Sequence, residues 1–148
     1  MQTKSEIIFS SGSMEWETPQ DLFDKIQDEF HLDLDVCASE ENAKLPDYFT
    51  IEDDALSQDW NGHRCWCNPP YGRQIEKWVK KASESDFVVM LIPARTDTKW
   101  FHEYVYHKAE IRFIKGRVKY LTPGHGKAIA NCPFPSMIVI FRGDRCRL

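Results

Sequence analysis

An unbroken apolar run, Phe87 to Ile92 (FVVMLI), leaves the chain few folds to adopt. It is far too short for a membrane span and rich in valine and other strand formers. It therefore reads as a strand buried on both faces, the kind found in mostly parallel sheets covered by helices. The flanks agree. Upstream, residues 73–83 place Ile75, Trp78, Val79 and Ala82 at helical spacing, with Arg73, Lys77, Lys80 and Lys81 mostly outward. Downstream, residues 97–108 repeat the pattern with Trp100, Phe101, Tyr104 and Val105 on one side.

The remaining elements follow from local signals. Thr18-Pro19 reads as an N-cap followed by proline at the first helical position, with Asp21 in the first turn. That helix runs to about Phe30, and Leu22, Phe23, Ile26 and Phe30 form its inner stripe. A strand is expected over Leu32 to Ala38, with Asp35 near its C-terminal end, and a short one around Phe49 to Ile51. Arg64 to Cys67 is a short apolar strand that enters Asn68-Pro69-Pro70-Tyr71-Gly72, where two prolines end sheet pairing and make the motif a loop. Glu110 to Ile114 and Met137 to Phe141 read as closing strands. Strands alternating with helices at these spacings predict an α/β fold with a mostly parallel sheet and an antiparallel C-terminal end. A single domain over residues 14–148 is expected, behind a flexible Ser-rich N-terminus at 1–13.

Charge divides along the chain. Residues 1–62 hold 16 acidic residues against three lysines, a net −13, whereas residues 63–148 hold 16 basic against seven acidic, a net +9. Such a division points to a polyanion at one surface, with solvated helix faces as the plain alternative for any one cluster. No run approaches a membrane span, and the first twelve residues lack a basic start and an apolar stretch, so a cytoplasmic protein is expected. Five cysteines, an odd count, read as reduced thiols. Cys65-Trp66-Cys67 has no second close-spaced ligand pair and the five histidines share no ligand spacing, so no metal site is assigned. Trp16 is the best exposed candidate for a binding face.

In a parallel sheet, ligands bind beyond the carboxyl ends of the strands. Two such ends carry polar residues, Asp35 and Asn68, and if their strands are neighbours the loops face one crevice. The Asn68 motif suits an amino group whose lone pair is delocalised into an aromatic ring. Such a group needs acceptors rather than a strong base. The Asn68 side-chain oxygen and the Pro69 carbonyl can accept both hydrogens of an NH2 group, which favours a tetrahedral nitrogen with its lone pair aimed at an electrophile. Pro69 and Pro70 stiffen the carbonyl and remove competing N–H donors, while Tyr71 offers a ring for a planar base. A sulfonium-borne methyl group fits as the electrophile, because its transfer needs in-line positioning more than acid catalysis.

Asn68-Pro69-Pro70-Tyr71 resembles the catalytic motif of amino methyltransferases that act on adenine N6, cytosine N4 or glutamine. Together with Trp16-Glu17-Thr18-Pro19, Leu34-Asp35-Val36-Cys37-Ala38, Glu41-Asn42-Ala43-Lys44, Asp59-Trp60 and Gly116-Arg117, the chain from about Trp16 to Phe141 resembles the phage-type Dam DNA adenine methyltransferase family. The resemblance implies a Rossmann-like class I methyltransferase fold, S-adenosylmethionine as donor and adenine N6 in double-stranded DNA as acceptor, reached by base flipping. It also implies that Asn68 to Tyr71 hold the target base, that Asp35 and Ala38 correspond to the first cofactor motif, and that Thr18 and Pro19 flank the methionine end. Asn42 and Asp54 are candidates for the ribose or adenine side. The chain departs from larger relatives in having Cys37-Ala38-Ser39 instead of a glycine-rich loop, and the short stretch between its two motif strands implies a trimmed sheet. Arg73, Lys77, Arg117, Lys119 and Lys127 are the DNA-contact candidates, the last three in the long 115–136 segment. The alternatives are the same chemistry on cytosine N4, RNA adenine or protein glutamine, or a nucleic-acid-binding relative without catalysis.

Overall fold

Apolar residues that cannot all face one side demand cover on both, and the 87–92 run receives it. The computed structural model describes residues 13, 14, 16–121 and 132–143. In chain order its elements are β1 (Ser13–Met14), α1 (Gln20–Phe30), β2 (Leu34–Asp35), β3 (Cys65–Cys67), β4 (Tyr71–Gly72), α2 (Ile75–Ser83), β5 (Val88–Pro93), β6 (Glu110–Phe113) and β7 (Ser136–Phe141). The main sheet has the order β2-β3-β5-β7-β6. β2, β3 and β5 are parallel, with Asp35 beside Trp66 and Cys67 beside Met90. β7 runs antiparallel between β5 and β6, which turns the C-terminal end of the sheet antiparallel as the sequence predicts. Val88 to Ile92 are wholly buried.

Side-chain alternation along β3 decides which helix covers which face. Trp66 points one way, and its ring meets Phe23 of α1 at 5.2 Å. Cys65 points the other way, its thiol 3.6 Å from the Trp60 carbonyl, and the Trp60 ring packs on Trp78 of α2 at 6.0 Å. Helices thus lie on both faces. The four predicted inner residues of α2, Ile75, Trp78, Val79 and Ala82, are all buried. Burial pushes the Cys65 thiol up to about 12 and Cys67 well above its ordinary value, so both are protonated at neutral pH. Among the described residues no helix is long and apolar enough to cross a membrane.

Several local expectations change. α1 begins at Gln20, Pro19 occupies the capping position, and Thr18 does not cap it. The expected strand at 32–38 keeps only two paired residues, because the chain turns where the Asp35 carboxylate takes up its own following backbone amides. No separate strand forms at 49–51. Tyr48 makes a single parallel bridge to Asp35, and Ile51–Asp53 is a 3-10 turn. The 97–108 region winds as a wider π-helical turn over Phe101–Val105, with the Tyr106 amide donating to the Phe101 carbonyl at 2.8 Å. That winding places Phe101 and Tyr106 in a stacked pair 5.9 Å apart. The proline motif is a loop only through Pro70, since Tyr71 and Gly72 pair with Met14 and Ser13 in a two-stranded ribbon.

Candidate active site

Because β2 and β3 are parallel neighbours, Asp35 and Asn68 emerge side by side at the carboxyl edge of the sheet. Asp35 is 2% exposed. Its carboxylate accepts the Cys37 amide at 3.2 Å and the Lys44 amide at 3.0 Å, and so folds the loop between them. Burial pushes its pKa up to about 6, against the opposing pull of those two amides and the Lys44 charge. Asn42 closes the same loop: its side-chain oxygen accepts the Ser39 amide at 2.7 Å, while its own amide lies 3.3 Å from the Ser39 hydroxyl. Asp35 and Asn42 thus shape the wall of the crevice from within.

Asn68 is held on every side. Its amide nitrogen donates to the Trp16 carbonyl and, at 3.0 Å, to the Thr18 hydroxyl. The sheet does not bring these residues together. A bridge between Glu17 and Leu121 does so, with N–H···O distances of 3.1 and 2.9 Å, beside the β1–β4 ribbon. Thr18 serves the amide of Asn68 instead of the helix end, and it is 1% exposed. The Tyr71 hydroxyl donates to the Asn68 side-chain oxygen at 2.7 Å and also lies 2.9 Å from the Leu91 carbonyl. Burial holds the Tyr71 pKa well above its ordinary value, which keeps the hydroxyl a donor.

Two aromatic expectations are corrected. The Tyr71 ring is 6% exposed: Trp16 stacks on it at 6.5 Å, and Tyr120 and Phe134 meet it edge-on, so in this conformation it does not offer an open face to a base. Trp16 is 7% exposed and belongs to the same aromatic cluster, not to an outer binding face. An aromatic cluster of this size buries more apolar area than a lone exposed ring, which is why the segment closes inward.

Two adjoining cavities flank the motif. The first is narrow and polar, lined by Thr18, Asp35, Ala38, Asn42, Asn68 and Pro69 among others. The second, about 250 Å³, is more apolar, lined by Phe49, Ile51, Leu56 and Trp78 with Asp54 at its edge, and the two share Cys37, Ala38 and Pro70. Pro19 lines neither. Glu17 and Lys44, given no role from the sequence, also line the first cavity and face each other at 3.7 Å, both largely buried. The available signal was Lys44 itself, one of only three lysines in the acidic first 62 residues.

The basic residues separate into two groups. Arg73 is exposed in the turn between the motif and α2 and Lys77 in the first turn of α2, and Arg117 and Lys119 are exposed on either side of buried Val118. Lys127 lies outside the described residues. Arg112 and Arg142 are engaged elsewhere: Arg112 makes a bidentate pair with Glu29 and bonds Glu110, which also holds Arg142, all at 2.6–2.7 Å. Part of the basic half therefore ties α1 to the sheet edge and is not available to a polyanion.

The fold and site together define an open α/β sheet protein with a ligand crevice beyond two adjacent parallel strands, one of which ends in a fixed amide. Over residues 7–146 the chain matches the family model described as Dam, DNA N-6-adenine-methyltransferase. It is 34% identical over 148 residues to the DNA N-6-adenine-methyltransferase of Haemophilus phage HP1 (strain HP1c1), covering 95% of this chain and 85% of that protein. It is 29% identical over 147 residues to the protein of the same description from Escherichia phage T1, covering 86% of this chain and 62% of that protein. The chain belongs to the Dam family of DNA N-6-adenine-methyltransferases.

Proposed function

We propose that the chain methylates the N6 amino group of adenine in double-stranded DNA with S-adenosylmethionine as donor, and that its sheet is a trimmed Rossmann-like class I methyltransferase core. The observation that carries the reading is the Asn68 amide, fixed at a strand end in the cavity that Asp35 and its loop also line. With both amide hydrogens engaged, only the Asn68 oxygen can face a substrate amine. That oxygen and the Pro69 carbonyl accept the two N6 hydrogens and leave the nitrogen lone pair pointing along the cavity. Tyr71 contributes through its hydroxyl, which holds the Asn68 oxygen in place.

The cavities fit the donor. The buried Lys44–Glu17 pair suits the carboxylate and ammonium of the methionine end, with Thr18, Asp35 and Asn42 framing the space between. The apolar cavity with Phe49, Ile51 and Trp78 suits the adenine ring, and Asp54 at its edge suits the ribose hydroxyls. When bound, S-adenosylmethionine supplies an electrophilic methyl group on sulfur. The acceptor adenine reaches the motif by base flipping, since its amino group is otherwise paired within the duplex. Arg73, Lys77, Arg117, Lys119 and Lys127 are assigned to the phosphates.

The deciding experiment is transfer of labelled methyl from S-adenosylmethionine to duplex DNA, followed by nucleoside analysis. Label in N6-methyladenine is expected. Label in N4-methylcytosine, in RNA adenine or in protein glutamine would move the reading to that acceptor, and cofactor binding with no transfer would replace it with a non-catalytic DNA-binding role.

A further inference from the structure

A chain of buried hydroxyls runs behind the motif. Tyr120 and Ser136 are 0% and 1% exposed, and neither touches the cavities. The Tyr120 hydroxyl lies 2.8 Å from the Ser136 hydroxyl and 3.2 Å from that of Tyr71, which donates to the Asn68 oxygen at 2.7 Å. The Asn68 oxygen can only accept, so the Tyr71 hydrogen lies toward it, shared with the Leu91 carbonyl at 2.9 Å. The Tyr120 hydroxyl stands against the Tyr71 hydroxyl on its other side, and Ser136 holds the Tyr120 hydroxyl there, either of that pair being able to donate. The position of the Tyr71 oxygen is thus set by Tyr120 behind it as well as by Asn68 and Leu91 in front.

We propose that Tyr120, anchored by Ser136, is a positioning residue for methyl transfer: it orients the Tyr71 hydroxyl and thereby fixes the direction in which the Asn68 oxygen meets the target amine. This rests on the assignment of Asn68 made above. Trp16 and Thr18 hold the nitrogen side of the amide, and the hydroxyl chain holds the oxygen side. The amide plane has no freedom left, and the remaining oxygen lone pair points one way. Tyr120 and Ser136 come from the 115–136 segment, which the sequence marks only as a long connection with DNA-contact candidates, and the sheet brings Ser136 within reach by pairing it with Pro93 at the end of β5.

The test uses single-turnover rates at saturating S-adenosylmethionine and DNA, so that product release does not mask the transfer step. Tyr120→Phe keeps the ring packed against Trp16 and Phe134 and removes only the hydroxyl. Its rate should fall about fivefold, the value of one neutral hydrogen bond, with cofactor and DNA affinities within about twofold of wild type. Ser136→Ala cuts the chain one link earlier and should lower the rate in the same direction. It carries the test by itself if Tyr120→Phe does not fold. Tyr71→Phe combined with Tyr120→Phe should be no slower than Tyr71→Phe alone, because both changes break one path. Full rate in folded Tyr120→Phe and Ser136→Ala, a multiplicative loss in the double variant, or loss of affinity in step with rate overturns the proposal. Asn68→Ala, measured alongside, separates the two levels. Retained rate in that variant overturns the assignment of Asn68, whereas lost rate there with unaffected Tyr120→Phe overturns only the hydroxyl chain.

Discussion

Asp35 makes stability and pH interdependent in an unusual direction for a carboxylate. Its pKa stands at about 6 in the folded chain against 3.8 for the free side chain, because burial outweighs the two amides and the Lys44 charge that favour the ion. Raising the pKa from 3.8 to about 6 corresponds to about 3 kcal/mol of destabilisation when the group is ionised. The native state binds more protons than the unfolded one between these two values. The stabilisation is therefore complete below pH 3.8 and lost as pH rises through 6. From pH 7 down to pH 5 the fold should gain about 1 kcal/mol from this residue. Glu29 and Glu110 are held below their ordinary 4.5 by hydrogen bonds from Arg112, with Arg142 also serving Glu110, so their contribution fades only in more acid solution. Urea denaturation followed by tryptophan fluorescence at pH 7, 6 and 5 measures the gain. The same series on Asp35→Asn removes everything the two proteins share. The wild type should gain on the variant by about 1 kcal/mol as pH falls from 7 to 5. Over the same range S-adenosylmethionine affinity should decline in the wild type, because a protonated carboxyl accepts the Cys37 and Lys44 amides less well and loosens the loop. Parallel stability curves for the two proteins, or a wild type that loses on the variant below pH 6, would rule out Asp35 as the source of this pH dependence.

Three further outcomes are expected. Asn68→Ala should lower single-turnover methyl transfer about a hundredfold or more while DNA affinity, read by fluorescence anisotropy, stays within about twofold of wild type. Ile51 is 87% exposed at the mouth of the apolar cavity, so Ile51→Ser should weaken S-adenosylmethionine binding by calorimetry about three- to tenfold and leave the melting temperature unchanged. Unchanged affinity there removes the adenine from that cavity. DNA affinity should fall steeply with salt, and replacing Arg73 and Lys77 together by alanine should reduce the slope of log affinity against log salt by about two; an unaltered slope takes both residues off the phosphates.

Each element carries in its own residue pattern which of its faces is buried. The 87–92 run demanded cover on both faces and became β5, a strand whose residues are all buried. The helical spacing of Ile75, Trp78, Val79 and Ala82 fixed the inner face of α2, and the closing strands fell within a residue of their expected ends. Asp35 and Asn68 stood out as polar residues at apolar strand ends. Tertiary structure decided who meets whom. Thr18 has the signature of a helix cap, yet its hydroxyl turns to Asn68, fifty positions away, because a buried amide hydrogen needs an acceptor more than a solvated helix end does. Tyr71 and Trp16 look like available rings, and the aromatic cluster with Tyr120 and Phe134 draws them in. Glu17, Tyr120 and Ser136 carry no local mark of function, and Lys44 carries only its rarity in an acidic stretch, since each acts through a partner that only loop bridges and sheet register bring near. Periodicity reports which side of an element is buried. The identity of the group waiting on the other side of that burial is set by packing between segments far apart in the chain.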